Sequence, residues 1–212
     1  MSVTSMINLM KHQISAFIAF AIIANFIPIA HASIAVTTNG GSSGLFYGSV
    51  GFSFTVGTQD IEVYELGVYD HLNDGVNSHN EVDIWSNNGV LLASKIFPTG
   101  TGATYDQRFR WLLLAAPIRL DSNTTYRIAA FGVFEDRKSV LLPASGTTIS
   151  SDITYVSGYI NENRNSAAFP ATSTGSQLII GGNMRYNVVP EPATYALILL
   201  GLVPLLYRRK QI

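Results

Sequence analysis

Residues 69–83 read YDHLNDGVNSHNEVD, and four carboxylates, Asp70, Asp74, Glu81 and Asp83, stand there among asparagine side chains. Oxygen donors at that density suit a hard cation, since Ca²⁺ gathers about six to eight oxygens from carboxylates, amides and backbone carbonyls. Asp70, Asp74 and Glu81, with Asp83 beside them, would supply part of such a shell. The order lacks the D-x-[DN]-x-[DN]-G spacing of a helical calcium loop. A solvated loop built on Asn and Asp turn chemistry is therefore the competing reading, and the weightier one. His71 and His79 flank the loop without H-x-H or H-x-x-x-H spacing or a third placed ligand, so zinc is not indicated.

Tyrosines are the second group with chemical potential. Tyr47, Tyr64, Tyr69, Tyr105, Tyr155 and Tyr159 offer flat apolar rings with a polar edge, the physical basis of stacking on sugars. Tyr47, Tyr69 and Tyr105 are the candidate glycan contacts, against the plainer account of packing in a core or at a sheet edge. Nucleophilic chemistry has little to stand on. No G-x-S-x-G elbow occurs, and with no cysteine there is no thiol nucleophile, thiolate metal site or disulfide. A carboxylate pair for glycoside cleavage must face across a cleft, which spacing along a chain does not reveal. A glycan-active hydrolase thus stays an outsider, and no enzyme is expected.

The elements that would carry these residues read as strands. Only 13% of the 212 residues are charged, against about 25% in ordinary domains, while Gly, Ser, Thr and Asn abound. Every charged side chain in residues 60–83 is acidic and most in residues 95–127 are arginine. No basic cluster forms, so nucleic acid is not an expected partner. Short runs rich in Val, Ile, Phe, Tyr and Thr, separated by turn residues, predict strands at 45–56, 61–69, 81–85, 90–97, 108–114, 125–133, 149–160 and 177–188. Asn88-Gly89 is expected to make a type I′ turn that pairs Val82 and Ile84 with the following strand. In RFRWL, Phe109 and Trp111 share one face and Arg108 and Arg110 the other. Residues 112–116 are apolar throughout, which predicts cover on both sides, with Pro117 ending the ladder. The fold class expected is all-β, an antiparallel β-sandwich of jelly-roll type, flanked by an N-terminal signal helix and a short C-terminal transmembrane helix.

Both ends of the chain are apolar. Lys11 and His12 precede ISAFIAFAIIANFIPI, and Ala30-His31-Ala32 stands before Ser33. That order is a secretory signal with its cut after Ala32; a permanent membrane helix is the weaker alternative, because Asn25 and Pro28 interrupt the run. At the other end, residues 195–207 would reach only roughly 20 Å as a helix, against a hydrocarbon core of about 30 Å. Arg208, Arg209 and Lys210 follow and would be held on the cytoplasmic side. Pro190-Glu191-Pro192 precedes the run, and its two prolines keep the backbone extended.

Two resemblances follow from these segments. The succession GFSFTVGTQDIEVYELGVYDHLNDG, SHNEVDIWSNNGVLLAS and FRWLLLAAPIRLDSNTTYRIAAF resembles an uncharacterised sandwich domain of bacterial exported proteins, over about residues 51–132. The tripeptide, short apolar run and basic end resemble the PEP-CTERM sorting signal of Gram-negative bacteria. That resemblance implies recognition by a membrane-embedded exosortase after signal peptidase has acted, a transient stage in the inner membrane, removal of the tail, and delivery to the cell surface or exopolysaccharide matrix. A plain C-terminal anchor is the alternative. The chain then divides into a signal peptide (1–32), a flexible leader (33–44), a β-sandwich domain (45–188) and the sorting signal (189–212). The role expected is structural or adhesive. A carbohydrate-binding module, with or without Ca²⁺, is the rival.

Overall fold

The computed structural model describes residues 32–39, 42–44, 48–70, 72–76, 80–132, 139–141, 146–175 and 179–189. The chain divides into two compact units, Met1–Ala30 and His31–Ile212, and all the described residues belong to the second. The expected signal helix as far as residue 31 and the tail from Pro190 onward lie outside the described residues, while Ala32, the last residue of the expected signal, opens the first strand. Within them, no helix is long and apolar enough to cross a membrane.

The regular structure of the described residues is all strand. In chain order the first eight are β1 (Ala32–Ile34), β2 (Val36–Thr38), β3 (Ser42–Gly44), β4 (Gly48–Val56), β5 (Ile61–Tyr69), β6 (Asn80–Ser86), β7 (Leu91–Phe97) and β8 (Thr104–Asp106). They are followed by β9 (Phe109–Leu120), β10 (Thr125–Gly132), β11 (Ser139–Leu141), β12 (Thr147–Ile149), β13 (Ile153–Asn161), β14 (Thr172–Ser173), β15 (Ile179–Ile180) and β16 (Gly182–Val188). A five-stranded sheet runs β1-β16-β5-β9-β8 and a six-stranded sheet runs β14-β13-β4-β10-β6-β7, with small β15-β11-β3 and β12-β2 sheets beside them. The pairings in both large sheets are antiparallel.

Alternation along these strands builds one hydrophobic cluster from both large sheets. Phe52, Phe54, Ile84 and Ile128 of the six-stranded sheet join Val63, Leu66, Leu120, Met184 and Tyr186 of the five-stranded sheet, all at full burial. Each such side chain removed from water contributes about 1.5–3 kcal/mol, and with no disulfide this burial carries the fold. The register follows from it: Ile128 lies between Phe52 and Ile84, and a slip of one residue would turn all three to the other face.

Several expectations are corrected. Within the expected flexible leader, residues 33–39 and 42–44 are held in pairings, β1 with β16, β2 with β12 and β3 with β11. Ala35 and Val36 are fully buried, and the Asn183 side chain acts as a strand partner to Val36, accepting from its N–H at 3.1 Å and donating to its carbonyl at 2.7 Å. Pro117 does not end its ladder. Four residues of β9, 114–117, stand opposite Tyr64 alone, since Glu65 pairs with Leu113 and Val63 with Ile118; in that bulge a residue without an N–H costs no ladder bond. Residues 112–116 are not covered on both sides either, for Leu113 is 63% exposed. The hairpin after β6 pairs Val82 with Lys95 and Ile84 with Ala93, but only Gly89 takes a positive φ, +86°. The loop is therefore a three-residue turn closed by Gly89 N–H to the Ser86 carbonyl at 3.0 Å. The two consecutive positive φ values of a type I′ hairpin fall instead on Gln107 (+51°) and Arg108 (+65°), between β8 and β9.

One glycine is dictated by packing. A Cβ on Gly67 would come within 2.8 Å of the Trp111 ring, so only glycine lets that indole lie on the neighbouring strand. Above the indole, at 4.3 Å, is the Arg185 guanidinium, which donates to Glu65 Oε2 at 2.9 Å and to Asp106. The result is a cation layered over an aromatic ring and held by two carboxylates.

Candidate functional site

The polar loop after β5 is organised by a cation from the protein itself. Asp70 and Arg110 form an ion pair, Nε to Oδ2 at 2.7 Å, with 2% and 4% of their side chains exposed. The same Asp70 oxygen accepts from Gly75 N–H at 3.1 Å. Arg110 also donates to the carbonyls of Thr101 (3.1 Å) and Ala103 (3.0 Å) and to Asn73 Oδ1 (2.7 Å). A Val76–Gly100 bridge, bonded in both directions at 3.0 and 2.7 Å, closes the two loops on each other. One guanidinium thus staples residues 70–76 to residues 100–103. Asp70, expected to be a calcium ligand, already has its charge matched at the closest range.

Glu81 and Asp83 are held elsewhere, two residues apart on β6 in the six-stranded sheet. Glu81 accepts from Ser94 Oγ at 2.7 Å. Asp83 is 3% exposed, and its Oδ1 has no hydrogen-bond partner. Burial pushes its carboxyl up to about 7, against the lowering effect of Ser94, and the neighbouring Glu81 raises it further. Among the described residues no three of His, Cys, Asp and Glu gather into a metal-binding group. The shell expected from Asp70, Asp74 and Glu81 is not assembled there, because Asp70 is committed to β9 and Glu81 to β7.

Beside Asp83 on the face of the six-stranded sheet turned away from the core is an aromatic stack that spacing alone did not reveal. Arg127 of β10 pairs with Trp85 of β6 and Ser53 of β4. Its guanidinium lies 3.8 Å from the Tyr159 ring centroid and 4.4 Å from that of Phe169, and it donates to the Pro170 carbonyl at 2.6 Å. Phe169 in turn meets Trp85 edge-on at 6.2 Å. Asn161 Nδ2 donating to the Phe169 carbonyl, and Ala168 N–H donating to Ser49 Oγ, hold residues 162–170 across this face. Burial lowers the Arg127 pKa, while Tyr159 and Phe169 stay half-exposed at the rim. The signal in the sequence is the run of alternating residues Glu81, Asp83 and Trp85, one strand face carrying two acids and an indole.

The remaining candidates scatter. Tyr69 is no exposed ring: it is 2% exposed and packs edge-on against Phe109 at 5.5 Å, and burial raises its pKa. Tyr105, on the edge strand β8, is half-buried with the Arg110 guanidinium 5.3 Å from its ring. Asp74 is exposed. Ser33 donates from Oγ to Asp152 Oδ2 at 3.3 Å, and Ala32 pairs with Asn187. Tyr47, His71, His79, Ala30, Pro190, Glu191, Pro192, Arg208, Arg209 and Lys210 lie outside the described residues.

The family model described as a domain of unknown function (DUF4082) matches residues 37–177. The match takes in the Arg110 staple and the aromatic face and stops short of β15 and β16. No curated protein matches the chain.

Proposed function

The chain belongs to the family of that domain of unknown function, DUF4082, and on this premise we propose that it is an exported, non-enzymatic protein of the cell surface or extracellular matrix, sorted by an exosortase and structural or adhesive in role. Its two large sheets are read as a jelly-roll-like sandwich, supported by the single cluster their inner faces share. The observation that carries the proposal is the pairing of β1 with β16. Ala32, at the expected signal cut, lies opposite Asn187, two residues before the segment expected to lead into the sorting tripeptide. A complete folded body thus fits between the two processing points, and either apolar segment can be removed without taking a core strand with it. Mass spectrometry of the cell-surface form should find an N-terminus at Ser33 and a C-terminus near residues 190–192. A surface form still ending in Arg208-Arg209-Lys210 and the residues after them would refute the sorting.

A second reading, a carbohydrate-binding module, is favoured by one observation. The half-exposed rings of Tyr159 and Phe169 flank the Arg127 guanidinium, and this combines a stacking surface with a hydrogen-bonding cation. On a microarray of bacterial and plant polysaccharides the full chain should then be retained on at least one glycan. The variant Tyr159→Ala, shown to be folded by near-ultraviolet circular dichroism, should lose at least tenfold in affinity. Retention on no glycan would leave the structural role alone.

A further inference from the structure

Both ends of the domain leave it at one pole. β1 and β16 are antiparallel neighbours with Ala32 opposite Asn187, Val188 lies opposite Ile61, and Val189 N–H donates to the Asp60 carbonyl at 2.8 Å. Three turns are bonded to one another around these exits. Gly57 N–H donates to the Asp152 carbonyl at 2.8 Å and Asn123 N–H to the Gly57 carbonyl at 2.9 Å. Ser122 N–H donates to Asp60 Oδ1 at 2.7 Å, Arg119 Nε to Asp60 Oδ2 at 2.8 Å, and Ser33 Oγ to Asp152 Oδ2. Residues 57–60, 121–124 and 150–152 therefore form a rigid platform around the points where the chain enters and leaves. β5 begins there at Ile61 and ends at Tyr69, so the Arg110 staple stands about 30 Å away at the opposite pole.

We infer that, while the tail is attached, this platform faces a lipid surface and the opposite pole, with Asp74 and the 100–103 loop, faces outward. The inference rests on the reading of the apolar ends as membrane segments. Five residues lie between Val189 and Tyr195, where the C-terminal apolar run begins, and fully extended the six residue steps span at most about 20 Å. The N-terminal run ends at Ile29, three residues before Ala32, a reach of about 10 Å. Tethers that short, leaving from one pole, do not let a body about 30 Å long turn its far end to the bilayer. The platform is acidic, with Asp60, Asp121 and Asp152 against Arg119. Its position is therefore imposed by the tethers and not by attraction to anionic headgroups.

The chain contains no cysteine, so a single introduced thiol reports one place. The full chain with Thr58→Cys, in the platform, or Asp74→Cys, at the far pole, is labelled with an environment-sensitive fluorophore. It is then reconstituted in phosphatidylcholine vesicles carrying a nitroxide-headgroup lipid. Both sites are exposed, so labelling leaves the core undisturbed. Quenching several-fold stronger at position 58 than at position 74 is the expected result. Equal or reversed quenching in a chain that floats with the vesicles overturns the inference while leaving the membrane reading intact. A full chain that does not float overturns that reading and the inference with it.

Discussion

Replacing Arg110 with methionine is expected to destabilise the fold by about 3–5 kcal/mol, the usual result of removing one partner from a buried ion pair. Methionine retains most of the aliphatic volume, so the loss reads electrostatics and hydrogen bonding in place of a cavity. Three things go at once: the 2.7 Å ion pair with Asp70, the bonds to the carbonyls of Thr101 and Ala103, and the bond to Asn73. What stays behind is a carboxylate 5% exposed as a residue, with the Gly75 N–H left on the oxygen that faced the guanidinium. A buried charge so stranded costs more than the pair contributed when intact. Urea unfolding should place Arg110→Met well below the parent. The double variant Arg110→Met with Asp70→Asn should recover a substantial part, because no stranded charge remains. A loss under about 1 kcal/mol in the single variant, the range of exposed surface pairs, would refute the staple as a principal fastening of the two loops.

Asp83→Asn is expected to do the opposite at neutral and alkaline pH, raising stability. The folded carboxyl is raised to about 7, whereas an unfolded aspartate titrates near 3.9 or so. Below about pH 4 both states are protonated and the group imposes no penalty. Between there and about pH 7 the unfolded chain ionises while the folded one does not, so stability falls as pH rises, and the fall levels off above the folded value. At about 1.4 kcal/mol for each pH unit between the two values, the full penalty is on the order of a few kcal/mol. Asparagine is the isostere of the protonated acid and donates to Glu81 in its place, without a charge to bury. Melting temperature followed from pH 4 to pH 9 should decline in the parent across this window. Asp83→Asn should decline much less and be the more stable protein at pH 8. Parallel profiles for the two proteins would show that Asp83 is ionised in the folded state.

Much of the scaffold was legible because burial imposes alternation. Ile61–Tyr69 appears as predicted, and the β6–β7 hairpin holds its partners, since a half-buried strand must place apolar residues at every second position. The edges were not legible. TTNGGSSG, residues 37–44, carries no apolar alternation, yet strands form within it because partners supply what composition lacks, β12 for Thr37 and Thr38 and β11 for residues 42–44. Turn chemistry misled in the same way: Asn88-Gly89 looked like the type I′ turn, while the positive φ values sit on Gln107 and Arg108, where flanking β8 and β9 dictate the backbone. Pro117 misled because a bulge cannot be read from one strand.

The site was less legible than the scaffold, for a reason of distance along the chain. Asp70 was visible as a carboxylate in a polar loop, but its partner stands 40 residues away. No local spacing distinguishes a ligand for Ca²⁺ from a ligand for an arginine. Tyrosine suits both rim and core, so composition alone does not place Tyr69; its place in the core is fixed by Phe109 on the paired strand. Asp83 lies where alternation puts it, on the face away from the core. Residues 162–170 cross that face at Trp85, two residues further along the strand. The Glu81-Asp83-Trp85 row is the part that could have been read directly.

The position of β16 within its sheet bears on the time course of folding. It is the last strand of the described residues, yet it lies between β1 and β5, so the first and last of these strands meet only after everything between them is available. Pairings of such long sequence separation form late and slowly, since the intervening loop must be closed before they return any energy. Until β16 is in place, β1 has no neighbour in the five-stranded sheet and β5 is paired on one side alone, with β9.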